Sequence, residues 1–390
     1  MRIIVAPDSF KGSATARELC ECIRAGIQDA DPNAEAILMP MADGGEGTVD
    51  NLVLATGGKT IRRRVSDPLG RPVEAAYGVL GDGVTAVIEA AQASGLTLLK
   101  PEERNPLLTS SYGTGELILH ALEAGYRRFL IGLGGSAVND GGAGMLRALG
   151  MRLLNADGEP LPDGGGALAE LSGIDLSGLD PRLAEAEFKM ANDVSNPLCG
   201  PQGASSVFGP QKGATPEMIR QLDEGLLRYG KVLSQATGTE VAELPGSGAA
   251  GGMGAALLSV LKAESRPGIE WVMELTRFEE HLRTADLVIT GEGRLDKQTK
   301  FGKAIAGICG KARLYDVSVI ALCGSLEVSA EEIEEMGLLA AFSVLPGPCS
   351  LEDATVHVAA WTRRQTGQIL RILLSGRQAV RKDPDRLPRS

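Results

Sequence analysis

Histidine is scarce in this chain and scattered: His120, His281 and His357 are the three it has. Its six cysteines are spread as thinly, and Cys20 and Cys22, one residue apart, fit neither zinc nor redox spacing. A His/Cys metal centre is therefore not expected, and the cysteines read as reduced thiols of a cytoplasmic protein. Aromatic residues are only 4% of the chain. No apolar run approaches the roughly 20 residues that cross a bilayer. The opening "MRIIVAPDSF" reads as a buried strand that starts at once, not as a signal peptide. Basic charge is outweighed: the net charge is −11, which disfavours nucleic acid and anionic membranes as partners. No G-x-S-x-G elbow is present, which argues against a hydrolase.

Glycine and short apolar runs are plentiful instead. The chain has 390 residues, 43% of them hydrophobic, with 51 glycines. That is enough for a full core and, by length, for two domains. The apolar runs are "RIIVA", "AILMP" (36–40), "VTAVIEAA" (84–91), "FLIGLGG" (129–135), "FKMAND" (188–193), "DLVITG" (286–291), "VSVIALCG" (317–324) and "AAFSVL" (340–345). Each has the length of a strand buried on both faces. Helix signals lie between them. Thr15 with Glu18 and Ser329 with Glu332 fit capping boxes, and Thr215–Pro216 opens a helical pattern. Strand and helix alternating predicts an α/β fold with mostly parallel sheets. The two ends of the chain share one style, so residues 1–68 and 276–376 are expected to form a Rossmann-like domain. Residues 69–275 are then an inserted α/β domain. The basic, proline-bearing 377–390 reads as a disordered tail.

Two glycine patterns invite a dinucleotide reading, "GLGGSA" (Gly132 to Ala137) and "GSGAAG" (Gly246 to Gly251). The second follows no strand, and after the first the expected acid, Asp157, falls in a turn signal rather than at a strand end. "GLLRYGKV" is a decoy for a phosphate loop, since it lies inside a helical pattern. The fuller signal is six charged, glycine-bearing loops. "APDSFKGS" carries Asp8, Ser9 and Lys11, and "MADGGEGT" carries Asp43 and Glu46. "GLGGSAVNDGG" carries Gly134, Gly135, Ser136, Asn139 and Asp140, and "ANDVSNP" carries Asp193 and Asn196. "FGPQKGAT" carries Lys212, and "VITGEGRLD" carries Glu292, Arg294 and Asp296. Loops after parallel strands line ligand crevices, so the six are expected to share a cleft. Glycine loops that enter helices offer amides to phosphate. Lysine and arginine neutralise phosphate or carboxylate. Carboxylates without histidines suit Mg²⁺. These are the parts of phosphoryl transfer to an alcohol.

With these blocks in order, and with "TSSYGTGELI" and "GAAGGMGAAL" beside them, the sequence resembles the type 1 glycerate kinases, bacterial glycerate 2-kinases, from Met1 to about residue 375. The resemblance implies two α/β domains with the site between them, ATP and Mg²⁺ as cofactors, D-glycerate as substrate and 2-phosphoglycerate as product. Phosphorylation at the 3-hydroxyl is the alternative within this fold. An NAD-dependent hydroxyacid oxidoreductase and a non-catalytic nucleotide or sugar-acid binder are alternatives from other classes. Val138 stands where related sequences often carry threonine, which leaves the backbone there as the phosphate contact. Asp193 is the expected base. Lys11 and Arg294 are expected on the glycerate carboxylate or the transferring phosphoryl group, and Asp8, Ser9, Asn196 and Lys212 on the substrate. Gly134, Gly135, Ser136, Asn139 and Asp140 are expected at the nucleotide. Asp43, Glu46, Glu292 and Asp296 are expected at Mg²⁺, directly or through water. The assembly state, including a homo-oligomer, is left open.

Overall fold

The computed structural model describes residues 1–42, 44–45, 47–296 and 304–382, with side chains to residue 375. In chain order the strands begin with β1 (Arg2–Pro7), β2 (Glu35–Leu38), β3 (Lys59–Ser66), β4 (Pro72–Val79), β5 (Thr85–Glu89) and β6 (Arg128–Gly132). They continue with β7 (Arg152–Leu154), β8 (Gly173–Asp175), β9 (Glu187–Ala191) and β10 (Glu264–Arg266). The last three are β11 (Leu287–Leu295), β12 (Val319–Leu326) and β13 (Ala340–Ser343). All eight apolar runs read from the sequence contribute a strand. Two compact units result: Met1–Ala42 with Val272–Ser390, and Asp43–Trp271.

The first unit holds a sheet ordered β13-β12-β11-β1-β2, every pairing parallel. In chain order within the unit this is a doubly wound sheet whose order reverses between β1 and β11. Ile3, Val5, Ile289 and Leu322 are buried in its core. The helix Ala16–Ala30 begins at a full capping box, Thr15 with Glu18, and buries Leu19, Ile23 and Ile27. Its outer partner is the helix Leu351–Lys382: Gly26 leaves no room for a Cβ, which would lie 2.4 Å from the Arg363 carbonyl. Arg363 also grips Asp29 through two hydrogen bonds of 2.7 and 2.8 Å.

The second unit holds a sheet ordered β10-β9-β6-β5-β4-β3 and a small antiparallel pair, β7 with β8. β5, β6, β9 and β10 run parallel, while β3 and β4 form an antiparallel edge. Phe129 stacks on Phe188 across β6 and β9, with 4.8 Å between ring centroids. The helix Pro216–Thr237 starts at Thr215, whose side chain accepts the Met218 amide, and stops at Gly238 in the left-handed conformation.

The unit boundaries fall after Ala42 and Trp271 rather than at 68 and 275. Segment 43–68 goes with the second unit because β3 pairs with β4 along its whole length. The sequence hides this strand: "KTIRRRVS" exposes most of its residues, so it never forms an apolar run. At the other end the Leu351–Lys382 helix extends its backbone into the segment read as a disordered tail, and residues 383–390 lie outside the described residues. Among the described residues no helix is long and apolar enough to cross a membrane.

Candidate active site

In the first unit, β1 and β11 lie side by side where the sheet order reverses, so their following loops emerge together. This is the position at which open α/β sheets hold ligands. Asp8 donates its amide to the Gly291 carbonyl at 2.8 Å, and its carboxylate accepts the Ser9 amide at 2.6 Å, which turns the chain. Phe10 then anchors in the core and pairs with Ala14 in a two-residue bridge. Lys11 is thereby left exposed at the tip of the turn. The loop rests on β11 at Gly293, where a Cβ would lie 3.4 Å from the Phe10 Cα. Beyond that glycine, Arg294 is exposed and ion-paired with Glu327, and it also lies 3.6 Å from Asp296. Glu292 and Asp296 are half-buried.

In the second unit, the loops after β5, β6, β9 and β10 gather at one edge of the sheet. The Gly132–Gly144 loop is the most tightly tied of them. Leu96 donates to the Gly135 carbonyl at 2.9 Å, Ala137 to Ser94 at 2.8 Å and Gly141 to Gly251 at 2.9 Å. Its early glycines are required by close approach: a Cβ on Gly132 would meet the Gly44 carbonyl at 2.5 Å, and one on Gly134 the Gly45 Cα at 2.6 Å. The backbone at Gly44 and Gly45 therefore lies directly on this loop. Close backbone packing is thus one requirement that Gly132 and Gly134 meet.

The expected nucleotide residues divide by exposure. Gly134 is half-buried and Gly135 exposed, whereas Ser136, Asn139 and Asp140 are buried. Asp140 was expected to meet nucleotide, yet its carboxylate is turned into the loop's own backbone. It accepts from the Ser111 amide and hydroxyl at 2.8 Å each, and from the Gly142 and Gly144 amides at 3.1 Å each. Burial is the largest influence and raises this carboxyl on balance, against the pull of the four donors. Since every contact is a donor, the ionised form is the one that fits. Ser111 in turn accepts the Met145 amide at 2.9 Å, tying the loop to the start of the helix Tyr112–Glu123. Asn139 donates to Ser205 at 2.9 Å, and its buried side-chain oxygen has no hydrogen-bond partner among the described residues.

Lys212 also departs from expectation. The sequence places it on the substrate, but it is 2% exposed. Its ammonium donates to the Val138 carbonyl at 2.7 Å and to the Ser136 hydroxyl at 3.2 Å, and burial pulls it down to about 7. Asp193 is exposed at the end of β9, and one of its oxygens accepts the Gly268 amide at 3.0 Å. Asn196 is half-buried and donates to the Gln202 carbonyl at 2.8 Å, closing its own turn.

Glu89 is a residue the sequence reading passed over. It ends β5 and is buried, and its carboxylate accepts the Val49 amide at 2.7 Å. The helix Thr48–Thr56 begins at Gly47, which has no side chain to cap it, so Glu89 caps it from the neighbouring strand. Burial is the main influence on its carboxyl and pushes it up. The signal was present in "VTAVIEAA", a lone acid closing an apolar run.

Of the four acids expected at Mg²⁺, Asp43 and Glu46 lie outside the described residues. Among the described residues no three His, Cys, Asp or Glu side chains gather as a metal site of their own. The donors present, carboxylate oxygens at strand ends, fit an ion that takes one or two carboxylates and completes its shell with water and phosphate.

The chain matches the glycerate kinase family over residues 3–374. It is 50% identical to a glycerate kinase of Bacillus subtilis (strain 168), over 95% of this chain and 97% of that one. It is 49% identical to a glycerate 2-kinase of Escherichia coli (strain K12), over 91% and 93%. A crystal structure of a candidate glycerate kinase 2 from Salmonella typhimurium LT2 superposes with a TM-score of 0.89 at 48% identity, covering 97% of this chain and 99% of that one.

Proposed function

The chain belongs to the glycerate kinase family, and we propose that it transfers the terminal phosphoryl group of ATP to the 2-hydroxyl of D-glycerate, giving ADP and 2-phosphoglycerate. The observation that carries this reading is the reach of the similarity: a relative named glycerate 2-kinase is 49% identical along 91% of this chain. Phosphoryl transfer asks a protein for position and charge rather than covalent chemistry.

Asp193 is assigned to orient and deprotonate the glycerate hydroxyl. Its exposure, and the Gly268 amide that fixes its carboxylate, support the role. Lys11 and Arg294 are assigned to the glycerate carboxylate or the transferring phosphoryl group, and both are exposed. Asp8 and Ser9 shape the turn that presents Lys11, and Asn196 is assigned to the substrate. The phosphates of ATP are assigned to the Gly134–Ser136 backbone, with Asn139 and Asp140 holding the loop from inside. Mg²⁺ is assigned to carboxylate oxygens, with Glu292 and Asp296 the described candidates and Asp43 and Glu46 the others. When bound it neutralises charge on the phosphates.

The test uses the full chain with ATP, Mg²⁺ and D-glycerate, with ADP measured against a control without glycerate. ADP above that control is expected, together with the ³¹P signal of 2-phosphoglycerate. No excess ADP overturns the kinase reading. A 3-phosphoglycerate signal overturns the position of transfer alone.

A further inference from the structure

We propose that Lys212 is a positioning residue that supplies positive charge to the ATP-binding loop from beneath, holding Ser136 and Val138 in place without touching ATP. The inference rests on the reading of Gly134–Ser136 as the phosphate contact. Its geometry is built by a sharp turn. Lys212 ends the short helical turn Pro210–Lys212, and its amide donates to the Gly209 carbonyl at 3.0 Å. Gly213 follows with φ +90°, and a Cβ there would strike the Arg104 carbonyl at 2.3 Å. The lysine stem is thus aimed inward by backbone that has one way to turn.

An ammonium has three donors and no acceptor. Two of those donors serve the loop, at Val138 and at Ser136. Burying such a charge is expensive, and an apolar side chain of similar length would pack at lower cost. Asp140 on the loop is the charge that acts on Lys212. Its carboxylate, however, is already engaged by Ser111, Gly142 and Gly144. Beyond Asp140 lies the buried Tyr229 phenol of the helix Pro216–Thr237, whose proton burial also holds in place. Arg104 approaches Gly213 through its carbonyl and Cβ, and its Nε is buried with no hydrogen-bond partner among the described residues. The ammonium is therefore under-compensated until an anion occupies the loop above it.

Two consequences follow from linkage. An anion on the loop stabilises the charged lysine, and the charged lysine strengthens anion binding. With the loop empty, burial holds Lys212 near 7; with a polyphosphate bound, its proton is held more tightly. ATP affinity is then fully present below about pH 7 and falls as the pH rises through the higher value of the bound state. Above pH 7, binding takes up a proton.

Calorimetry of Mg·ATP binding to the full chain at pH 8, in two buffers of different ionisation enthalpy, reads this directly. Net proton uptake is expected for the wild type and none for Lys212→Met. The Lys212→Met substitution is expected to raise KM for ATP about ten- to hundredfold, the loss that accompanies a hydrogen bond to a charged group, with a smaller change in kcat at saturating ATP. Ethylamine or propylamine is expected to restore part of the ATP affinity of Lys212→Ala. A wild type that turns over glycerate without proton uptake overturns the proposal, and so does a folded Lys212→Met with KM for ATP within about twofold of normal. The proton measurement needs no variant and stands if both substitutions fail to fold. A wild type that forms no ADP with glycerate overturns the functional reading, and this proposal with it.

Discussion

The two units treat charge in opposite ways. In the first, Lys11 stands exposed on the loop after β1 and Arg294 stands exposed near the end of the adjacent strand β11, where it pairs with Ser325 of β12, so the backbones of both are held by main-chain bonds and glycine contacts. In the second, Asp140, Lys212 and Glu89 are buried and spend their polar atoms on backbone groups and neighbouring side chains. Asp193 is the exception there, exposed at the end of β9. An exposed charge on a rigid loop can meet a substrate, whereas a buried charge can only shape what meets it. The proposed roles thus divide residues of the same chemical type, in segments of the same glycine-rich style, into contacting and positioning sets.

Substitutions can break this division or sharpen it. The largest effect is expected at Asp193→Asn, with kcat lowered about 10²- to 10⁴-fold, the usual contribution of a general base, and an unchanged thermal midpoint. A loss in kcat smaller than about tenfold would remove Asp193 as the base. Next comes Asp140→Ala, which strands four buried donors and should cost about 3 kcal/mol of stability or more, measured by denaturant unfolding. A full-strength fold that had lost only ATP affinity would move Asp140 to the contacting set. Lys11→Ala and Arg294→Ala should raise KM for glycerate or for ATP about tenfold or more. Each should change stability by less than about 1 kcal/mol, as exposed ion pairs do. Unfolding at markedly lower denaturant would show these cations to be structural. The smallest effect is expected from Asp43→Ala and Glu46→Ala, a severalfold rise in the Mg²⁺ concentration needed for half-maximal turnover. An unchanged Mg²⁺ dependence in both would reduce "MADGGEGT" to a tight turn.

The sequence disclosed elements better than roles, for a physical reason. A parallel strand buried on both faces must be apolar throughout, so "DLVITG" and "VSVIALCG" could be little else. Thr15, Thr215 and Ser329 announced helix starts because capping is local chemistry, and all three accept the expected amide. β3 was missed because only Val65 in it is fully buried, leaving no run to see. The unit boundary was misplaced along with it, since that strand ties 43–68 to β4. Roles were harder because burial is a tertiary property. Nothing local separates Lys11 in "FKGS" from Lys212 in "QKGA", yet one lies at the tip of a turn and the other is sealed under a loop. The acids Asp8 and Asp140 look alike in the same way, and two of the four donors that engage the buried second one come from Ser111, some 30 residues away in the chain.

The interleaved first sheet also sets a schedule for synthesis. β1 buries five of its six residues, and it takes β11 as a neighbour on one side and β2 on the other. A ribosome adding about 5–20 residues per second needs roughly 10–50 s to pass from Ala42 to Val272. During that interval β1 offers a bare apolar edge of the kind chaperones shield, while Asp43–Trp271 already contains every strand of its own sheets. The later unit in the chain order is therefore expected to fold first. Brief proteolysis of stalled nascent chains would read the order, with the middle segment protected while residues 1–42 are still cut; early protection of 1–42 would reverse it.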